Sequence, residues 1–264
     1  MNTDPGRHAA ALTYTSYLAL DEVLGAQRPR SDDHDELLFI VIHQVYELWF
    51  KQLLHELTHL QLRLEKGDAA HSIRTLRRAL TILKVVVAQI DVLETMTPRQ
   101  FTSFRARLEA SSGFQSAQFR ELEAVLGRRE LRVLDNYPEE SPARERIAQA
   151  MRRPSLFDSF LRFLAVHGYQ VLTERDFALP AEPSEDIQHV LLEVYRDDAG
   201  PSTVAELLVD LDEGLQEWRY RHVKMVERTI GGKPGTGGSS GAAYLRSTLF
   251  HPAFPDLWAV RSEL

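Results

Sequence analysis

The 264-residue sequence predicts an all-α fold, a helical bundle organised around long antiparallel helices. Three observations carry that expectation. Apolar residues recur at three- and four-residue steps through three long segments. No stretch alternates apolar and polar residues for long enough to make a sheet. Gly, Pro and Ser/Thr signals fall where helices should stop and start.

In chain order, LTYTSYLALDEVL (12–24) has helical spacing behind Thr13, whose hydroxyl suits an N-cap, and QRPRSDD (27–33) breaks it. A long helix is predicted from about His34 to Lys66, with the stripe Leu38, Ile42, Val45, Trp49, Leu53, Leu57 and Leu60, and Gly67-Asp68 ends it. A second, about 69–96, carries Ile73, Leu76, Leu80, Leu83, Val87, Ile90 and Leu93. The short polar turn between the two makes them an antiparallel pair. Thr97-Pro98 reads as N-cap and first turn of TPRQFTSFRARLE; ASSGFQS (110–116) interrupts, and QFRELEAVLG resumes the helix. Residues 127–200 hold shorter amphipathic helices separated by NYPEESP, RRPS, LPAEPSE and DDAGPS, and a last long helix spans about 202–230. No repeat and no linker divides these segments, so one domain is expected over residues 1–264.

Composition narrows the chemistry. Hydrophobic content of 44% and charged content of 26% are those of a chain that can bury a sizeable core. The formal charge of −7 gives no general reason to expect nucleic acid or an anionic membrane as partner, and the basic run RTLRRAL (74–80) reads as a solvated helix face. The absence of cysteine removes disulfides, thiolate nucleophiles, iron–sulfur clusters and thiolate-ligated zinc or haem. MNTDPGRHAA has no apolar signal core and no uninterrupted apolar run reaches about 18 residues, so a cytoplasmic protein is expected.

Five features could carry chemistry. In FIVIHQVYELWF (39–50) nine of twelve positions are apolar or aromatic, with His43 in their midst. A buried imidazole needs a hydrogen-bond partner or a chemical role; His43 is either a satisfied core histidine or the wall of a pocket for a flat ligand. HELTH (55–59) has the HExxH spacing of zinc hydrolases, His55 and His59 one turn apart with Glu56 between. Its continuation HLQLRLEKG lacks the metzincin pattern, and no residue stands out as a third ligand, Glu94 included. His222, in EWRYRHVKMVERTIG, is either a helix-surface histidine or a haem ligand open to a cysteine-free protein. GGKPGTGGSSG (231–241) has six glycines in eleven residues; Lys233 precedes the glycine cluster, which excludes a P-loop and favours a lid over a small ligand. Arg105, beside the break ASSGF, suits a substrate carboxylate or a surface salt bridge.

Four segments together resemble tryptophan 2,3-dioxygenases: LTYTSYLALDEVL, HDELLFIVIHQVYELWFKQ, VLETMTPRQFTSFRARLEASSGFQSAQFRELE and WRYRHVKMVERTIGGKPGTGGSSGAAYL. They run in order from residue 12 to about 245, nearly the whole chain. The resemblance implies an all-α bundle that binds haem b, forms a homotetramer and inserts both atoms of O₂ across the indole C2–C3 bond of L-tryptophan, giving N-formylkynurenine. It implies His222 as the axial ligand of the haem iron and His43 as the distal histidine near the indole N–H. Phe39 would pack on the indole, Arg105 would bind the substrate carboxylate, and Thr236 would touch its ammonium and carboxylate end. Ser112 and Gly113 would line the haem pocket. Tyr14, Tyr17 and Leu18, in an N-terminal segment of about 30 residues, would complete the pocket of a neighbouring subunit. Position 101 is Phe where some members of the family have Tyr near the carboxylate, which removes one hydrogen bond. The resemblance gives HELTH no role. It leaves open a related haem-dependent monooxygenase that converts a tryptophan derivative, for example to an oxindole.

Overall fold

The computed structural model describes residues 11–109, 111–172, 175–180, 182–236 and 241–264. Among them every regular element is helical. The order is α1 (Tyr14–Leu18), α2 (Leu20–Leu24), α3 (His34–Glu65), α4 (Ala69–Leu93), α5 (Pro98–Arg105), α6 (Ala117–Val125), α7 (Pro142–Arg152), α8 (Leu156–Val166), α9 (Glu185–Asp197), α10 (Gly200–Ile230), α11 (Ala242–Ser247) and α12 (Pro255–Ala259). The all-α expectation holds.

The starts of these helices follow local chemistry. Thr13 caps α1 through a reciprocal pair with Ser16, and Thr97 caps α5 with Pro98 in its first turn and Gln100 reaching back. Asp68 caps α4 by accepting from the His71 amide. Gly67, between α3 and α4, sits at φ +71, and a Cβ there would meet Val166 Cγ1 at 2.6 Å; both facts require glycine. Residues 12–24, however, are not one helix. The chain breaks at Ala19, which takes a left-handed φ of +50, into α1 and α2. Neither short helix buries a residue, so no core contact holds the segment straight.

The centre of the bundle is α3, α4 and α10, with α4 between the other two; α8 and α6 pack on α3, and α7 packs on α6. The buried face of α3 is Ile42, Tyr46, Phe50, Leu53, Leu57, Leu60 and Leu64. Val45 and Trp49, expected in that stripe, lie only partly buried beside it, displaced by Tyr46 and Phe50. Leu60 and Leu64 on α3, Leu76 on α4 and Leu208 on α10 are fully buried, each stabilising the fold by about 1.5–3 kcal/mol through the area withdrawn from water. Two side chains tie α3 to α4 by backbone carbonyls: Tyr46 Oη donates to Val86 O at 3.1 Å and Gln89 Nε2 to Ile42 O at 2.9 Å. The C-terminal segment is moored to α10 by buried Asp212, which accepts from Ala253 N, Phe254 N and Trp258 Nε1. By length and composition α3 is apolar enough to cross a membrane, although its buried positions form one stripe packed on α4, α6 and α8.

Candidate active site

Helices α3, α4, α5, α6, α10 and α11 and the chain at 111–116 and 235–236 enclose a predominantly apolar cavity, with about 210 Å³ open to the centre of a water molecule. His43, Phe39, Arg105, Ser112, Gly113, His222 and Thr236 all line it. Residues spread over nearly two hundred positions thus meet at one place because α3 and α10 both pack against α4. Tyr14, Tyr17 and Leu18 do not line the cavity of their own chain; they are 75%, 72% and 40% exposed.

His43 has a defined tautomer. Its Nδ1 lies 2.7 Å from Phe39 O, and a carbonyl can only accept, so Nδ1 carries the proton. Burial holds the imidazole below its ordinary pKa, against the pull of that hydrogen bond and of Glu47, so the ring is neutral near pH 7. Nε2 is then an acceptor. A Cβ on Gly113 would lie 3.8 Å from Nε2, so the absence of a side chain at Gly113 leaves that nitrogen approachable. The Phe39 ring lies 4.1 Å from the imidazole at 40°, and Phe101 and Phe104 each stand 5.7 Å from Phe39. This aromatic wall faces Arg105, one turn beyond Phe101.

His222 is also neutral. Burial, with the neighbouring His43 and the Arg120 guanidinium each disfavouring a further positive charge, pushes its imidazole down to about 4. The ring is only partly shielded from solvent by area because it lines the cavity, but it stands deep among the helices. Trp218 lies nearly parallel to it, 14° between planes and 5.1 Å between centroids.

The glycine-rich segment is joined to the same wall. Arg105 Nη2 donates to Pro234 O at 2.5 Å, and Thr236 Oγ1 donates to Ser111 O at 2.9 Å. Residues 237–240, the middle of the expected lid, lie outside the described residues.

Sequence reasoning missed a charged cluster in the cavity wall. Glu123, buried, accepts from Arg120 at 2.7 Å, Arg219 at 3.0 Å and Arg128 at 3.2 Å. Burial raises the Glu123 pKa, but the three guanidinium groups outweigh it and hold the carboxyl below its ordinary range. Arg120 stacks over Phe114 at 5.0 Å and lines the cavity, placing a buried cation there. The pair at i, i+3 in QFRELE is visible in the sequence, yet such a pair reads as a surface salt bridge until the packing is known.

The HELTH side chains are engaged elsewhere. Glu56 is buried and turned to α4, accepting from Gln52 at 2.8 Å and Arg78 at 3.2 Å; His55 is exposed and His59 accepts from Arg63. Glu94 pairs with Arg221 at 3.3 Å. Among the described residues no three His, Asp or Glu side chains gather to hold a metal ion.

The family model described as tryptophan 2,3-dioxygenase matches residues 3–167 and 187–264. A protein of Anaeromyxobacter dehalogenans named tryptophan 2,3-dioxygenase is 69% identical over 264 residues, spanning 99% of this chain and 100% of its own. Proteins of the same name from Herpetosiphon aurantiacus and Caulobacter vibrioides are 57% and 46% identical, over 96% and 97% of this chain and 99% and 100% of their own. With matches spanning both long-helix halves and the cavity between them, the chain belongs to the tryptophan 2,3-dioxygenase family.

Proposed function

We propose that the cavity holds haem b on His222 and that the chain converts L-tryptophan and O₂ to N-formylkynurenine by opening the indole C2–C3 bond. The observation that carries this reading is the pairing of two neutral histidines, His43 and His222, in one apolar cavity whose wall also holds the buried Arg120 cation. The donor set fits the cofactor. A neutral imidazole is the form that ligates iron, and a guanidinium suits the propionate carboxylates that haem carries. Bound haem supplies the activation of O₂.

The chain's own residues then position the substrate. Arg105 offers a forked donor to the carboxylate, with Thr236 beside it for the carboxylate and ammonium end. Phe39 offers a ring face to the indole, and His43 Nε2 accepts from the indole N–H. The two ends of a zwitterionic amino acid are thereby held at once, which orients the C2–C3 bond. Phe101 adds no hydrogen bond at the carboxylate end and keeps that wall dry.

The reading includes a homotetramer. Leu12, Tyr14, Tyr17 and Leu24 are each more than 70% exposed, and Leu37, Val41 and Leu48 form an exposed apolar face on α3. Such surface in one chain is accounted for by copies of the same chain covering it, with the α1 segment of one reaching the cavity of another. The reading is tested by the purified protein's Soret absorption. A haem spectrum lost in His222→Ala is expected; an unaltered spectrum in that variant overturns the assignment.

A further inference from the structure

Three histidines of this chain sit one turn after an aromatic residue, and one of the three pairs differs from the others. His43 follows Phe39 and His167 follows Phe163, with rings tilted by 40° and 49°; each Nδ1 donates to the carbonyl four residues back, at 2.7 and 2.9 Å. His222 follows Trp218 with rings only 14° apart, and among the described residues neither of its ring nitrogens has a hydrogen-bond partner. An imidazole that ligates a metal is ordinarily aimed by a hydrogen bond from its second nitrogen. Here an indole plane lies nearly parallel to the ring.

Trp218 is itself held. Phe119 lies 4.7 Å from it and Phe50 meets it edge-on at 6.3 Å, so α6 and α3 both buttress the indole. Its Nε1 is buried beside the Tyr46 hydroxyl, short of hydrogen-bond geometry, while that hydroxyl donates to Val86 O. The ring contacts with Phe119 and Phe50 are the ones that set the plane of the indole.

We propose that Trp218 is a positioning residue: it orients the His222 imidazole by stacking its indole against the ring. This rests on His222 as the axial ligand.

The test uses the haem-loaded protein in its ferrous form, read by the resonance Raman iron–histidine band, the reduction potential and haem affinity. Trp218→Phe and Trp218→Tyr keep a ring and should reproduce the wild-type band. Trp218→Leu and Trp218→Met fill space without a stack; they should shift or split the band and lower haem affinity about tenfold. A band and affinity unchanged across all four variants, or ordered by side-chain volume instead of by aromaticity, overturns the proposal. Should the aliphatic variants not fold, Phe119→Leu withdraws the buttress while leaving Trp218 in place. That variant should broaden the band, and an unbroadened band overturns the proposal equally. Failure of the axial reading is distinguishable, because His222→Ala would then keep its haem spectrum; failure of the present inference leaves that variant without haem and the Trp218 series flat.

Discussion

The Arg105 guanidinium faces the cavity one turn beyond Phe101 and donates to Pro234 O in the glycine-rich segment. Arg105→Ala should weaken L-tryptophan binding by about 2–5 kcal/mol, the cost of truncating one partner of a buried charge pair. Titration of the haem spectrum with tryptophan measures it, and unchanged affinity contradicts the carboxylate role. His222 makes a separate prediction about stability without haem. Its folded pKa of about 4 lies below the ordinary 6.5. Above that ordinary value it is neutral in both states; as the pH falls toward 4 the unfolded chain takes up a proton that the native chain refuses. Stability is therefore lost on acidification through that window, by about 1.4 kcal/mol per pH unit for this group. His43 shifts in the same direction and adds to the loss. Urea unfolding at pH 7 and pH 5 should show a smaller drop in His222→Phe than in the wild type; equal drops contradict it. The sequence made both histidines conspicuous. The tautomer of His43 was not legible there, because it depends on the distance from Nδ1 to one carbonyl.

Among the elements, the helix starts at Asp68 and Thr97-Pro98 and the turn at Gly67 were legible because capping is a local matter. The break at Ala19 was not, since the apolar spacing of 12–24 continues through it and only the lack of packing partners permits it. Arg120 and Trp218 were likewise illegible as site residues. Their importance comes from α6 and α10 meeting at the cavity, which no local pattern records. The approach of α10 to α4 depends on Gly214: a Cβ there would stand 2.8 Å from Leu83 Cδ2, at the flexible tip of that side chain. Ala could be accommodated by a shift of Leu83, but the branched Gly214→Val should force the helices apart at a cost of about 1–3 kcal/mol. Because α10 carries His222, the same variant should also weaken haem retention. A denaturation midpoint equal to that of the wild type contradicts the packing account.

For the whole molecule, the apolar α1 segment and the exposed face of α3 are surfaces that one chain leaves uncovered. Removal of residues 1–24 should shift sedimentation from a tetramer to smaller species and weaken tryptophan affinity while haem stays bound. A truncated protein that remains tetrameric with unchanged affinity contradicts the shared site. The bundle could be read from periodicity, whereas the cavity required knowing that α3 and α10 pack on the same helix. On the proposed function, the chain opens the indole ring with both atoms of O₂. Mass spectrometry of the product from L-tryptophan under isotopically labelled O₂ tests this. A single product that has gained two oxygen atoms, both labelled, is expected; a product that has gained one oxygen atom contradicts dioxygenation.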